Sequence, residues 1–333
     1  LTHDLLQYVQ LPPSNGYTSR VDNFGEVENK GVDFNIEGII INKNDLNWTF
    51  NANVGINRNK LKKLNSNLDF QLGPSIGFSQ AYPILFMVDQ PLGIYWGAET
   101  DGVYSSWEEA NASGIAGAAP GEIKYINHHV EVDDSGQPLE IQEINFEDYV
   151  KIGDPNPDFT YSISNNFTFK NWDANILFTG QKGGDLFWVD SWQLSGLQKT
   201  TNILSSSYAN SWIAPLSYEN GNYVYDETIG NLNSAIHPGA MIETGSRAIS
   251  SDRNIYDGSF IRLKNINIGY NFDLKNGKNM RVYLAGQNLI VWTDYPGYDP
   301  EVRTYTKNPQ KRGVDFGTYP GTRSLLVGLK LNY

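Results

Sequence analysis

Asn47-Trp48-Thr49-Phe50-Asn51-Ala52-Asn53-Val54-Gly55-Ile56 alternates without a lapse. On an extended chain Trp48, Phe50, Ala52, Val54 and Ile56 share one face and Asn47, Thr49, Asn51, Asn53 and Gly55 the other; a helix of ~3.6 residues per turn would mix the two sets. The stretch 157–169 repeats the pattern, with Phe159, Tyr161, Ile163, Phe167 and Phe169 against Asp158, Thr160, Ser162, Ser164 and Thr168, and Asn165 as its lapse. At the other end of the chain Leu325, Val327, Leu329, Leu331 and Tyr333 stand against Ser324, Gly328, Lys330 and Asn332. Further candidate strands are 4–11, 31–42, 172–188, 259–272 and 280–292, giving about eight of membrane-crossing length. Within 259–272 the apolar parity changes around Lys264–Asn265, as a bulge that shifts the register by one residue requires.

The residues between the strands point the same way. Connections alternate between short (43–46, 170–171, 273–279) and long (12–30, 62–156, 189–258, 293–321), as in outer-membrane barrels with short periplasmic turns and long extracellular loops. Aromatic residues make up 13% of the chain, with 20 Tyr and 8 Trp. A mean hydropathy of -0.43 is too low for membrane-spanning helices and fits strands that give every second residue to a wet lumen. Trp48, Trp172, Tyr270, Trp292 and Tyr333 fall near strand ends, where amphipathic rings settle at headgroup depth. The competing account of these rings is the core of a soluble β-sandwich, which has no reason to sort its loops by side.

Cys is absent, which excludes disulfides and thiolate metal sites. A formal charge of -12 with no Lys/Arg run excludes nucleic acid as a partner. The opening Leu-Thr-His-Asp-Leu-Leu reads as mid-protein sequence, so any export signal is expected upstream.

Several phrases, in order, carry a resemblance: Gly25-Glu26-Val27-Glu28-Asn29-Lys30-Gly31-Val32-Asp33-Phe34, Asn57-Arg58-Asn59-Lys60-Leu61, Pro120-Gly121-Glu122-Ile123-Lys124-Tyr125, and Ile152-Gly153-Asp154-Pro155-Asn156-Pro157-Asp158-Phe159-Thr160-Tyr161. They continue with Phe260-Ile261-Arg262-Leu263-Lys264-Asn265-Ile266, Gly286-Gln287-Asn288-Leu289, Gly297-Tyr298-Asp299-Pro300-Glu301-Val302, and Tyr319-Pro320-Gly321-Thr322-Arg323-Ser324 before a terminal aromatic. From about Leu11 onward the chain resembles the SusC/RagA family of TonB-linked outer-membrane proteins of Bacteroidetes. The resemblance implies an all-β fold, a transmembrane antiparallel β-barrel of about 22 strands. Residues 1–333 are expected to be its C-terminal part, with the N-terminal plug and first barrel strands lying outside them. It further implies a SusD-like lipoprotein lid, energy from TonB-ExbB-ExbD through the N-terminal region, and active import of a large nutrient, glycan or oligopeptide. In the final strand, Leu331 and Tyr333 resemble the signal read by the barrel assembly machinery, and Tyr333 equally suits a girdle aromatic. Where the family often carries a calcium-loop-like stretch, Asn127-His128-His129-Val130-Glu131-Val132-Asp133-Asp134-Ser135-Gly136 lacks the full set of spaced oxygen ligands, so no calcium site is expected.

The parity assigns Trp48, Phe50, Val54, Phe159, Tyr161, Ile163, Phe167, Leu325, Val327 and Leu329 to outer-membrane lipid, and Asn51, Asn53, Ser162 and Lys330 to the lumen. Trp192, Tyr208, Trp212, Tyr218, Tyr223 and Tyr225, set among Ser, Asn and Gly, suit contact with cargo or lid, and equally a loop packed on itself; Tyr298 and Asp299 join the contact candidates. Gly73-Pro74-Ser75-Ile76-Gly77 matches the nucleophile elbow in letters only, because a Pro-containing loop replaces the strand and helix that the elbow needs. Adjacent His128 and His129 point to opposite faces of an extended chain and form no metal pair. No catalytic residue and no cofactor is assigned. A barrel acting as a scaffold in a larger outer-membrane complex is the alternative to import; a soluble carbohydrate-binding β-domain or glycosidase stands further off.

Overall fold

The computed structural model describes residues 2, 6–10, 16, 19–23, 25–64, 68–76, 82–195, 202–225, 230, 249–274, 278–305 and 308–332. Its strands, in chain order, are β1 (Leu6–Gln10), β2 (Ser19–Asn23), β3 (Gly25–Lys43), β4 (Leu46–Leu64), β5 (Phe70–Leu72), β6 (Ile84–Met87), β7 (Ile94–Gly97), β8 (Thr100–Val103), β9 (Ile123–Tyr125) and β10 (Val150–Gly153). They continue as β11 (Pro157–Phe169), β12 (Trp172–Gly183), β13 (Asp185–Trp188), β14 (Leu216–Glu219), β15 (Asn222–Tyr225), β16 (Ile255–Asp257), β17 (Phe260–Asp273), β18 (Asn279–Thr293), β19 (Val314–Asp315) and β20 (Ser324–Asn332). Seven of them form one sheet in the order β20-β18-β17-β12-β11-β4-β3, every pair antiparallel. This sheet is the wall.

Register makes each face of the wall continuous. Phe34 lies opposite Val54 and Val54 opposite Tyr161; Ile163 faces Phe178, Ile268 faces Leu284, and Leu284 faces Val327. The residues between them give the other face: Asn35 opposite Asn53, Asn53 opposite Ser162, Ser162 opposite Thr179. The apolar face is bare, with Phe34 at 60%, Leu284 at 51% and Val327 at 75% exposure. A belt that spans seven strands far exceeds the few hundred Å² of apolar patch that a protein surface in water tolerates. In a bilayer the same belt is the stable surface, since the backbone groups of the wall's inner strands are paired across the sheet. Among the described residues no helix is long and apolar enough to cross a membrane.

The parity change in β17 is a bulge: Leu177 pairs with Asn265 but Phe178 with Leu263, leaving Lys264 as the extra residue. β18 answers with an offset of its own between Gln287 and Ile290, where Asn288 adopts the left-handed conformation at φ 51°. Ile261 and Leu263 before the bulge, and Ile266 and Ile268 after it, therefore stay on one face. The lapse at Asn165 is also accommodated, because the Trp48 indole donates to its Oδ1 at 3.1 Å.

Three expectations about the strands and connections need correction. Residues 12–30 are not one long loop: β2 begins at Ser19, and Leu6 opposite Asn23 and Thr2 opposite Val27 continue one hairpin ladder. The candidate strand 4–11 is β1 in that hairpin, whose ladder reaches the edge of β3 through Thr2 opposite Val27, beside the seven-stranded sheet. The candidate strand 172–188 is broken at Gly183 and Gly184, whose φ of 70° and 81° turn the chain from β12 into β13. The long connections 62–156, 189–258 and 293–321 are not open loops; much of each is folded.

They fold together into a cap over one end of the wall. Its core takes Val27, Leu61 and Leu64 from the ends of β3 and β4, Ile76, Ile84, Phe86 and Tyr95 from the first connection, Phe187 and Val189 from the second, and Val314 from the third. Short sheets frame it, β10-β7-β6-β5 and β16-β13-β19, the latter with a parallel β13–β19 pair. At 19 residues and ~3.3 Å per residue, β3 and β4 are about twice as long as the apolar layer is thick, so their far ends serve the cap. At the opposite end the strands turn tightly, through Asn44 and Lys170 at φ 51°.

Candidate functional site

The polar face of the wall is cross-linked from strand to strand. Asn51 donates to Asn35 (3.3 Å), Asn175 to Asn166 (2.6 Å), and Asn265 to Asn175 (3.4 Å). Nearer the tight turns, Arg281 reaches over Gly269 to Asp173, two strands away, at 2.9 and 2.5 Å. The route exists because position 269 has no Cβ, which would collide with the guanidinium. Tyr283 likewise lies flat over Gly328 with Arg281 over its ring at 4.8 Å, so large side chains hug this face rather than project from it.

Where the wall meets the cap, the phrases that carried the resemblance meet in pairs. Asn59 donates to Asn156 at 2.8 Å and accepts from the Leu92 backbone at 2.6 Å, while Asn156 donates to Leu92 O and to Asp154 Oδ1. Arg58 donates to the carbonyls of Pro157 and Asp158 at 3.1 and 2.8 Å. Likewise Arg262 donates to Asp299 Oδ1 at 2.5 Å, and the second Asp299 oxygen accepts from Gly321 N at 3.1 Å. Glu301 sits 2.8 Å from Arg262 Nε, close but out of line for a hydrogen bond, and 3.3 Å from Lys264. Asn288 donates to Thr322 O at 3.2 Å. Six of the eight phrases thus supply the latches that fix long connections to the wall.

Beneath the first latch lies a polar groove. A concavity of about 440 Å³ is bounded by Asn29, Asn57 and Asn59 of the wall and by Tyr305, Gln310, Lys311 and Arg312 of the third connection. A second, of about 340 Å³, continues along the wall past Asp33, Gly55 and Thr160 and shares Asn57, Asn59, Asn156 and Arg312 with the first. Asn29, Asn57, Asn59, Asp33 and Thr160 all belong to the polar face by register, since each lies an odd number of residues from Val32, Phe34, Val54, Ile56 or Tyr161 in the alternation. Lys311 rests on the Tyr305 ring at 4.4 Å, and burial pushes its ammonium below the usual lysine range.

The aromatic contact candidates scatter. Trp192 packs edge-on against Phe187 at 5.5 Å beside the main core, and Trp212 covers Gly121. Asp299 is buried in its ion pair. Tyr208 and Tyr298 stand open, at 71% and 77% exposure. The backbones of Tyr218, Tyr223 and Tyr225 form the β14–β15 hairpin, while their side chains fall outside the described residues, as does Tyr333. Of the residues assigned to lipid, Trp48, Phe50, Val54, Tyr161, Ile163, Phe167, Leu325, Val327 and Leu329 share the apolar face by register, Phe159 lies beside Tyr161, and Leu331 ends that face opposite Met280. The groove was missed in sequence because its residues come from five separate segments.

Ser75 lies in irregular chain beside the buried Ile76, and the next described element along the chain is the strand β6. His128 and His129 diverge to Glu99 (3.1 Å) and Glu147 (2.9 Å), while their backbone N–H groups share the buried Asp148. Asp133 accepts from Ser135 N and Gln137 N in a self-contained turn.

No family model matches the chain. Over its full length it is 33% identical to TonB-dependent receptor P3 of Formosa agariphila and 25% identical to TonB-dependent receptor SusC of Bacteroides thetaiotaomicron. It spans 31% and 29% of those proteins, about a third of their length. Among solved structures, the RagAB peptide transporter aligns over 99% of this chain and 32% of its own, at a TM-score of 0.72 and 20% identity, and the RagAB peptide importer in its closed-closed state aligns at 0.73. These matches place the wall and cap in the fold of a TonB-dependent transporter barrel; the relatives are receptors and transporters, not enzymes.

Proposed function

The chain belongs to the SusC/RagA family of TonB-dependent receptors, and we propose that it forms part of the wall and the external cap of an outer-membrane importer for a large polar nutrient, a glycan or an oligopeptide. The observation that carries this reading is the two-faced wall. One face is an unbroken apolar belt suited to lipid. The other is a lattice of amides with flattened Tyr and Arg side chains, leading to a polar groove beneath the cap. A polar solute can exchange its water shell for amide groups along such a face, whereas an apolar face would strip that shell without replacement.

In this reading the tight turns at Asn44 and Lys170 face the periplasm and the cap faces outward. The cap's exposed Tyr208 and Tyr298 contact cargo or a SusD-like lipoprotein lid, and energy arrives through TonB acting on a plug. The outer edges of the wall, on β20 and on β3 beyond the Thr2–Val27 bridge, pair with further strands of the same barrel, since an unpaired edge in lipid leaves N–H and C=O groups without partners.

The test is affinity purification of the native full-length protein from detergent-solubilised outer membrane, with mass spectrometry of what accompanies it, and uptake of the identified solute with and without TonB. A lipoprotein and a bound oligomer that enters cells only when TonB is present are expected. A stable complex with assembly or secretion machinery, carrying no solute, would replace import with the scaffold role.

A further inference from the structure

The groove's lining divides into satisfied and unsatisfied groups. Asn59 and Asn156 are fully engaged in the latch. The Gln310 amide nitrogen is buried without a hydrogen-bond partner, the Lys311 ammonium is partly buried and unpaired, and the exposed side chains of Asn29, Asn57 and Arg312 have no protein partner among the described residues; all five line one concavity. Two of the five are cations, in a chain of formal charge -12 where other basic groups do sit beside acids, as Lys30 does Glu28, Lys60 Asp89 and Lys124 Asp101 and Glu109. Desolvation makes Lys311 the more notable: its stem is packed on Tyr305, and burial without a counter-ion destabilises its charge. Asp33 is the lining carboxylate of the adjoining concavity, which Lys311 does not line.

An arriving anion would meet paired cations with amide donors on either side, a set that suits a carboxylate better than a neutral hydroxyl. Resting on the import reading above, we infer that this groove receives carboxylate groups of the cargo, so that the protein selects acidic oligomers over neutral ones of the same backbone. Lys311 and Arg312 supply the charge; Asn29, Asn57 and Gln310 hold the flanking polar groups of the chain.

Calorimetric titration of the full-length transporter in detergent, at about 0.15 M salt so that diffuse attraction is screened, tests this with matched pairs: trigalacturonate against a neutral galactose trimer, and triglutamate against triglutamine. The acidic member of at least one pair is expected to bind tenfold or more tightly than its neutral counterpart, and Lys311→Gln with Arg312→Gln to erase the difference. Preference within the sugar pair alone marks an acidic glycan, within the peptide pair alone an acidic peptide, and each upholds the carboxylate site. Retention of wild-type tryptophan fluorescence and protease resistance shows that the double variant keeps its cap. Should that cap be lost, Lys311→Arg, which keeps the charge, is expected to keep the preference. Equal affinity for acidic and neutral members, or a preference that survives the folded double variant, overturns the inference. TonB-dependent uptake that draws no distinction between acidic and neutral oligomers would leave the import reading standing while this one falls; absence of any TonB-dependent uptake would remove the import reading itself.

Discussion

Val327→Arg is expected to prevent most of the full-length protein from reaching its folded state in the outer membrane, while Lys330→Ala leaves assembly unchanged. Val327 is 75% exposed in the middle of the belt, opposite Leu284, with Leu325 and Leu329 on the same face. An arginine there places its charge in hydrocarbon, at a cost of about 2–4 kcal/mol near the bilayer midplane. Lys330, three residues on, has the opposite parity and sits opposite Arg281 on the polar face. Its removal takes away one of two neighbouring like charges and leaves nothing unpaired. Heat-modifiable migration of outer-membrane extracts separates folded from unfolded protein; equal loss in both variants would sink the face assignment.

Asp299→Ala is expected to weaken the cap by about 3–5 kcal/mol, because it strands a guanidinium that has almost no access to water. Both oxygens of Asp299 are in use: Oδ1 takes Arg262 at 2.5 Å and Glu301 N at 2.9 Å, and Oδ2 takes Gly321 N at 3.1 Å. Glu301 beside Arg262 Nε compensates in part, which puts the loss toward the lower end of that range. Limited proteolysis of the full-length protein is expected to cut the third connection, around residues 294–323, far faster than in the wild type, with the wall strands intact. A variant that binds cargo less well but resists protease as before would return Asp299 to the role of contact residue.

That pair also marks how far the sequence could be read. Alternation at 47–56 and 157–169 was legible because a two-residue period is local, and the parity change at Lys264 was legible for the same reason. The answering offset at Asn288 was not, since it shows only when β17 and β18 are laid side by side. The cap was illegible because its strands, such as Ile84–Met87 and Asp185–Trp188, are too short to display a period. Trp192, set among Ser, Gln and Leu, suited a contact residue and a self-packed loop equally; its partial burial follows from packing beside Phe187 in a core completed by Val314, far along the chain. The latches had a faint signal in the recurring phrases, but which phrase meets which is a property of the fold, not of either segment.

The most direct test of the two-faced wall is nitroxide scanning of the reconstituted full-length protein, to which these residues contribute no cysteine of their own. Single cysteines along β4 and β17 would be spin-labelled and their relaxation by lipid-soluble oxygen compared with that by a water-soluble nickel chelate. Oxygen should dominate at positions 50, 52 and 54 and the chelate at 51 and 53, and along β17 the alternation should invert across Lys264, with 261 and 263 matching 266 and 268. Access to the chelate at every position, or an alternation that runs through Lys264 without inverting, would contradict a membrane wall of this register.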